Sequence, residues 1–367
     1  MKKILALILA VVIAASLVGC SFDLTDYLAS ITYTEAPELP TEAPSTPEPT
    51  EEPTPEPTEE PTPEPTEYIE PLPSGVPEDI SELARNYVFA ARDIMDEAIA
   101  HIEANPIEGS PNTHPFVGQN RFNSLLTNEL ALYERLLVSA TTFEEYAFTV
   151  RSEESLGRVM DALFIDHPEI EIYFDIENTG TAGSFRTVFF DPEARYFGQT
   201  EDMEALKEKT EAFTVVTEYI ASRVPSEFSA IDKYRVLAYY LTANTKYAHI
   251  ENEEIPHYAM NAYGAIMNGW SICQGYALGF EYLCRAANLD CRRLTNGRSD
   301  DSLHYWDVVS INEGTYFVDV TWADGSSNSD YTDENWFTWF MFPADNDHVA
   351  NDGTTTTGAE IDKSGWK

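Results

Sequence analysis

The chain has 367 residues, 43% apolar and 12% aromatic, enough for a substantial core and for about two to three domains. Its 22 basic residues face 63 acidic ones, a formal net charge of −41. That charge argues against nucleic acid and bare anionic lipid as partners, because both surfaces would repel it.

The first twenty residues read as a targeting segment. Lys2 and Lys3 supply a positive start, residues 4–17 are almost wholly apolar, and Leu17-Val18-Gly19-Cys20 closes the run. About 14 apolar residues fall short of the ~20 needed for a membrane span. Small residues before a cysteine make a bacterial lipobox. Residues 1–19 are therefore read as a lipoprotein signal peptide cut before Cys20, whose sulfur carries the lipid. The expected location is the extracytoplasmic face of the cell membrane, held by that lipid anchor.

Residues 20–75 form an acidic Pro/Thr/Glu-rich linker, in which the octapeptide Glu-Pro-Thr-Pro-Glu-Pro-Thr-Glu occurs at 52–59 and again at 60–67. Proline at this density removes N–H donors and fixes φ, which forbids helix and sheet. The linker is expected to be disordered and extended, near 3.1 Å per residue, so that some 30 residues reach on the order of 90 Å.

Folded sequence is expected from Val76. Pro77-Glu78-Asp79 opens an amphipathic helical pattern running to about Ala104. A second helix fits 121–139, where Phe122, Leu125, Leu126, Leu130, Leu132 and Leu136 recur mostly at three-to-four spacing, and a third fits 154–163. Strand-like runs follow at 170–174 and 185–190. Residues 76–220 thus read as an N-terminal α+β region without paired chemistry. Long helices are predicted at about 202–222 and 227–247. Beyond them the chain turns rich in Tyr, Trp, Gly and Asn, with helices at 260–268 and 273–288 and strands near 291–297, 303–311, 315–322 and 336–342. A helix followed by successive strands predicts a helix packed on an antiparallel sheet. Residues 221–367 are read as a second domain, and the fold class as α+β.

The chemistry gathers in this second half. Asn268-Gly269 is turn chemistry, and Cys273 follows at the first turn of a helix, with Ser271 as the expected cap. A helix N-terminus favours the anionic, nucleophilic form of a thiol. Gly275 and Ala277 keep that turn small, which leaves room for a substrate backbone. His304 opens a strand at 304–309, and Asp319 falls inside the β-branched, aromatic run 316–322, where an acid is costly unless it has a partner. A two-residue turn at 312–313 makes paired residue numbers sum to 625. His304 then faces Thr321, with Asp319 its diagonal neighbour roughly 7–8 Å away at the backbone. In this reading Cys273 attacks an acyl carbon, His304 holds it as a thiolate–imidazolium pair and protonates the leaving amine, and Asp319 orients the imidazole.

At these residues the chain resembles the transglutaminase-like superfamily, in particular the core domain of bacterial surface proteins. The resemblance is carried by Cys-x-Gly-Tyr-Ala at 273–277, His-x-Trp-x-x-Val at 304–309 and Val-Asp-Val-Thr-Trp at 318–322. Tyr263-Gly264-Ala265 and the stretch 340–348 support it, and Asp166-His167-Pro168-Glu169 is similar to N-terminal regions of related lipoproteins. It implies a papain-like, transglutaminase-like domain and a triad of Cys273, His304 and Asp319. The glutamine that papain-like enzymes place six residues before the cysteine is Met267 here. Tyr258, Trp270 and Gln274 are therefore candidates for the second oxyanion donor. With Gly275, Tyr276, Trp306 and Trp322 they make the candidate substrate cleft.

No cofactor or metal is expected. The acidic stretch holding Asp324, Asp330, Asp333, Asp345, Asp347 and Asp352 lacks EF-hand spacing, and the Cys and His spacings fit no zinc motif. With Cys20 assigned to lipid, Cys284 and Cys291, seven apart, are read as buried thiols on a helix and the next strand, with a disulfide between them as the alternative. The expected function is cysteine-dependent acyl transfer at the cell surface, on a protein or peptide substrate associated with the cell wall, ending in amide crosslinking or hydrolysis. The alternative is a noncatalytic wall-binding or protein-binding module on the same fold. Processing of peptidoglycan peptides is a third reading.

Overall fold

The computed structural model describes residues 70–109, 121–194, 199–248, 257–297, 303–324 and 338–363. The signal peptide, Cys20, nearly all of the linker, Asp330 and Asp333 lie outside them. The described chain is a mixed helix-and-sheet structure. None of its helices is long and apolar enough to cross a membrane.

Helix α1 (Glu82–Ala104) opens where Ser81 Oγ accepts the Ala84 N–H at 3.1 Å. It thus starts one turn after Pro77-Glu78-Asp79. Ala84, Val88, Ala91, Met95, Ala98 and Ile102 form its buried stripe. That stripe packs on two later helices, α4 (Met203–Arg223) and α5 (Ala230–Asn244). A buried ion pair on α5 fixes the end of α1: Arg235 meets Asp232 at 2.6 Å and also donates to the Asn105 carbonyl, while Asp232 accepts the Ile107 N–H.

The helix expected over 121–139 divides into a short 3-10 turn (Arg121–Ser124) and α2 (Thr127–Thr142). The turn is held by the carboxylate of Asp166, which accepts the Arg121 and Phe122 N–H groups at 2.7 and 3.0 Å. The Asp-His-Pro-Glu run thereby gains a structural role at the end of α3 (Glu153–Asp166). Residues 170–174 are not a strand. A 3-10 turn (Pro168–Ile172) buries Pro168, Ile170 and Ile172, and strand β2 (Phe174–Asn178) begins only after it. Pro168 cannot donate to a ladder, which favours the turn. Strands β1 (Ala147–Thr149), β3 (Ser184–Phe189) and β2 make an antiparallel sheet in that spatial order. The three-residue β1 carries too little pattern to be foreseen.

In the second half, short strands β4 (Lys246–Tyr247) and β5 (Trp270–Ser271) run parallel and lead into α6 (Cys273–Ala286). The expected 260–268 helix is a 3-10 turn (His257–Met260) followed by a π-turn (Gly264–Asn268). Helix α6 packs on an antiparallel sheet of order β6-β7-β8, formed by Cys291–Thr295, Tyr305–Ile311 and Gly314–Val318. Strands β7 and β8 pair as Asp307↔Val318, Val308↔Phe317 and Ile311↔Gly314, the register required by a two-residue turn. The ladder stops at Val318. Asp319 then caps a four-residue helix, α7 (Val320–Ala323), so Thr321 lies on a helix and not opposite His304. The described part of the 336–342 strand is also absent, apart from an isolated bridge between Phe342 and Phe317. One buried core runs from α1 to Met341, and a smaller aromatic cluster of Leu294, Trp306, Phe317, Phe342 and Ala350 lies over the outer sheet.

Candidate active site

Cys273 is the first residue of α6 and is buried. At a helix start the first N–H groups have no intrahelical acceptor, so they point at whatever occupies the space before the thiol. The approach to that position is rigid. Gly269 turns at φ 69°, and its carbonyl accepts the Lys246 N–H while the Ser271 carbonyl accepts the Ala248 N–H. Ser271 does not cap the helix. Its hydroxyl donates to the Ala259 carbonyl at 2.9 Å, because Ile272 occupies the cap position. Gly275 is small for its own chain and not for a substrate. A Cβ there would meet Ser271 Oγ, the Ala259 carbonyl at 2.7 Å and the Asn261 carbonyl at 2.9 Å.

His304 precedes β7, its backbone bracketed by Asn296, whose side chain accepts the His304 N–H and whose own N–H donates to the His304 carbonyl. Its Nε2 meets Asp319 Oδ2 at 2.6 Å. The Cys273 sulfur acts on the same ring and favours its charged form, and Nδ1 is the nitrogen that Asp319 leaves open. Burial works against a charged imidazole here, but the Asp319 carboxylate and then the Cys273 sulfur outweigh it and push His304 up to about 10. The face of the ring stacks on Trp322, with centroids 4.8 Å apart and planes 19° apart.

Asp319 is wholly buried and fully engaged. Oδ1 accepts the Trp322 N–H at 3.0 Å, and Oδ2 accepts from His304 and also from His348 Nε2 at 3.1 Å. Burial alone would raise this carboxyl. The two imidazoles, His304 first, more than offset it and hold the group below the usual carboxylate range. Among the described residues, His304, Asp319 and His348 are the one group close enough to hold a metal ion. The 2.6 Å separation of His304 Nε2 from Asp319 Oδ2 is that of a charge-assisted hydrogen bond, with both nitrogens aimed at the carboxylate oxygen itself.

The cleft candidates divide. Trp270 is 49% exposed and Trp322 covers His304, while Gln274 and Tyr258 are half-buried. Tyr276 and Trp306 are core residues. Tyr276 is fully buried with its hydroxyl between Asp324 and the Thr245 carbonyl, and Trp306 packs on Phe317 in the outer aromatic cluster. Leu303, next to His304 in the chain, is exposed like Trp270. Met267 is buried in the π-turn. His257 is buried against Phe190, and burial pushes it down to about 4.

Two residues escaped the sequence reading. His348 is one; it closes the 340–348 stretch that supported the resemblance, but no role was read for it there. Tyr247 is the other. It pairs with Ser271 across β4 and β5, and its ring stacks on Tyr276. Burial, and then the Cys273 and Asp319 charges, push its phenol up to about 12, so it lies within the field of the site. The acidic C-terminal stretch is likewise more than solvated surface: Asp324 meets Tyr276, Asp345 meets His348 and Asp352 meets Arg292. Cys284 and Cys291 are buried free thiols on α6 and β6. Compared with known proteins, the chain matches no protein-family model and no curated sequence.

Proposed function

We propose that this chain is a lipid-anchored, extracytoplasmic, transglutaminase-like thiol enzyme that transfers acyl groups from protein or peptide amides through Cys273, His304 and Asp319. The observation that carries the proposal is the convergence of the three side chains, from the start of a helix, the edge of a strand and a helix cap, with the imidazole pushed up to about 10. An imidazole held charged beside a sulfur at a helix N-terminus is an arrangement that favours the nucleophilic form of a thiol.

The chemistry follows from these positions. The Cys273 thiolate adds to the amide carbon. The developing oxyanion meets the Cys273 N–H and, in this reading, the Tyr247 hydroxyl as second donor. The C–N bond breaks, His304 gives its proton to the departing nitrogen, and a thioester remains. Water or an amine, deprotonated by the now neutral His304, attacks the thioester and restores the thiol pair. Asp319 stays ionised throughout and holds the ring. The surface location in this reading rests on the lipobox of residues 17–20 in the sequence.

The test uses hydroxylamine, which intercepts an acyl-enzyme whichever acceptor is natural. Full-length protein is incubated with Gln-bearing peptides and hydroxylamine, and hydroxamate is measured beside a Cys273→Ala control. Cys273-dependent hydroxamate is the expected result. Its absence, together with retention of wall or protein binding by Cys273→Ala, would favour the noncatalytic binding module.

A further inference from the structure

Asp319 Oδ2 serves two imidazoles at once. A carboxylate oxygen has two lone-pair directions, so the second donor fills the one that His304 leaves open. Oδ1 accepts the Trp322 N–H, so both oxygens of the carboxylate are engaged. The second imidazole is itself held at both ends. His348 Nδ1 lies 3.0 Å from Asp345 Oδ1, and the same oxygen accepts the His348 and Asp347 N–H groups. The His348 side chain has no solvent exposure, and the rings of Trp306, Trp322, Trp339, Phe317 and Phe342 surround it. Among the described residues, the charged or titratable groups that face it are Asp319, Asp345 and His304. Nε2 donates to the Asp319 carboxylate when it carries the ring proton, and Nδ1 faces the Asp345 oxygen. Acid and base therefore alternate along one line: Asp345, His348, Asp319, His304, Cys273.

We infer that His348 is a positioning residue for the thiol reaction: it braces the Asp319 oxygen that holds His304 and ties that oxygen, through Asp345, to the 345–348 turn. The inference rests on the acyl-transfer reading above. A space-filling residue in an aromatic cage needs no polar atom, and an apolar side chain of similar volume would fill it as well or better. His348 instead directs both nitrogens along the line of the triad. Its donation fixes where Oδ2 sits.

Two substitutions separate donor position from bulk. His348→Gln can keep an N–H near the Nε2 position, facing Asp319. His348→Asn can keep one only near Nδ1, facing Asp345. The readout is the ratio of the Cys273 alkylation rates by iodoacetamide at pH 6 and pH 9. It is resolved by peptide mass spectrometry on the full-length protein, so that other cysteines do not contribute. His348→Asn is expected to lower the ratio about tenfold, and His348→Gln to stay within about threefold of the parent. An unchanged ratio in a folded His348→Asn protein overturns the inference, and so does an equal loss in both variants, because the donor to Asp319 would then not be what acts. Should His348→Asn fail to fold, Asp345→Asn at the outer end of the line decides: a drop of about threefold supports the inference and no drop overturns it. His304→Ala is run in parallel. If it lowers the ratio while the His348 variants do not, only the positioning role falls. If it too leaves the ratio unchanged, the thiolate–imidazolium reading itself has failed.

Discussion

Replacing Asp319 with Asn tests the electrostatics of the site with little change in shape. His304 sits at about 10 against an ordinary value of 6.5, a difference on the order of 5 kcal/mol between its charged and neutral forms. Burial acts in the opposite direction, so with the Asp319 charge removed His304 falls to its ordinary value or below. The sign is that of a raised base: the imidazolium is fully present below 6.5 and is lost as pH rises through about 10 in the parent protein. In the variant it is lost before neutrality. The thiol then loses its charged partner, so the Cys273 alkylation rate should fall, and fall further at pH 6 than at pH 7.5. Asn also has one oxygen where Asp has two. It can cap α7 through the Trp322 N–H or accept from the imidazoles, but not both, and loss of the cap costs about 1 kcal/mol. Peptide-resolved alkylation from pH 5 to 10 is the assay. A variant profile that superimposes on the parent would refute the reasoning.

Tyr247→Phe removes the hydroxyl proposed as second oxyanion donor but leaves the proposed thiolate pair intact. Cys273-dependent hydroxamate formation should fall by at least about tenfold while alkylation stays within about twofold, since a single oxyanion donor contributes roughly 10²–10³ in rate. Gly275→Ala forces a methyl group against the Ala259 and Asn261 carbonyls. It should destabilise the protein by about 1–3 kcal/mol in urea unfolding and slow alkylation as the first turn of α6 shifts. Arg235→Ala leaves Asp232 buried without its 2.6 Å partner. It should cost about 3–5 kcal/mol of stability yet leave the alkylation rate of the folded protein unchanged.

Much of the site was legible because its parts lie at element boundaries with strong local chemistry. Asn-Gly before a cysteine marked the start of α6, and the β7–β8 register followed from a two-residue turn. Asp319 was misplaced for a physical reason. Val-Asp-Val-Thr-Trp alternates like a strand, and the local pattern cannot show that the ladder ends at Val318. What ends it is non-local: the Trp339 carbonyl takes the Asp319 N–H, and two histidines from either side take the carboxylate. His348 lies 29 residues from Asp319, in an acidic stretch without period, so its role emerges only once the chain has folded back. The same applies to Gly275, whose size is set by carbonyls 14 and 16 residues upstream.

Asp319 also explains why fold and proposed chemistry are hard to separate in this domain. One oxygen of its carboxylate directs the chain out of the sheet into α7, and the other aligns the imidazole. A residue serving only the chemistry could be lost without unfolding the protein, and Cys273 and His304 are closer to that condition: the first is one buried side chain on a long helix, and the second is partly exposed at a strand edge. Asp319 has no such freedom, because its burial is tolerable only while both histidines and the cap answer its charge. Acidification tests this dependence. The stabilisation from its lowered pKa is present above about 3.8 and is lost as pH falls through its folded value. The 319–323 segment and its His348 contact should therefore loosen in acid together, as one unit.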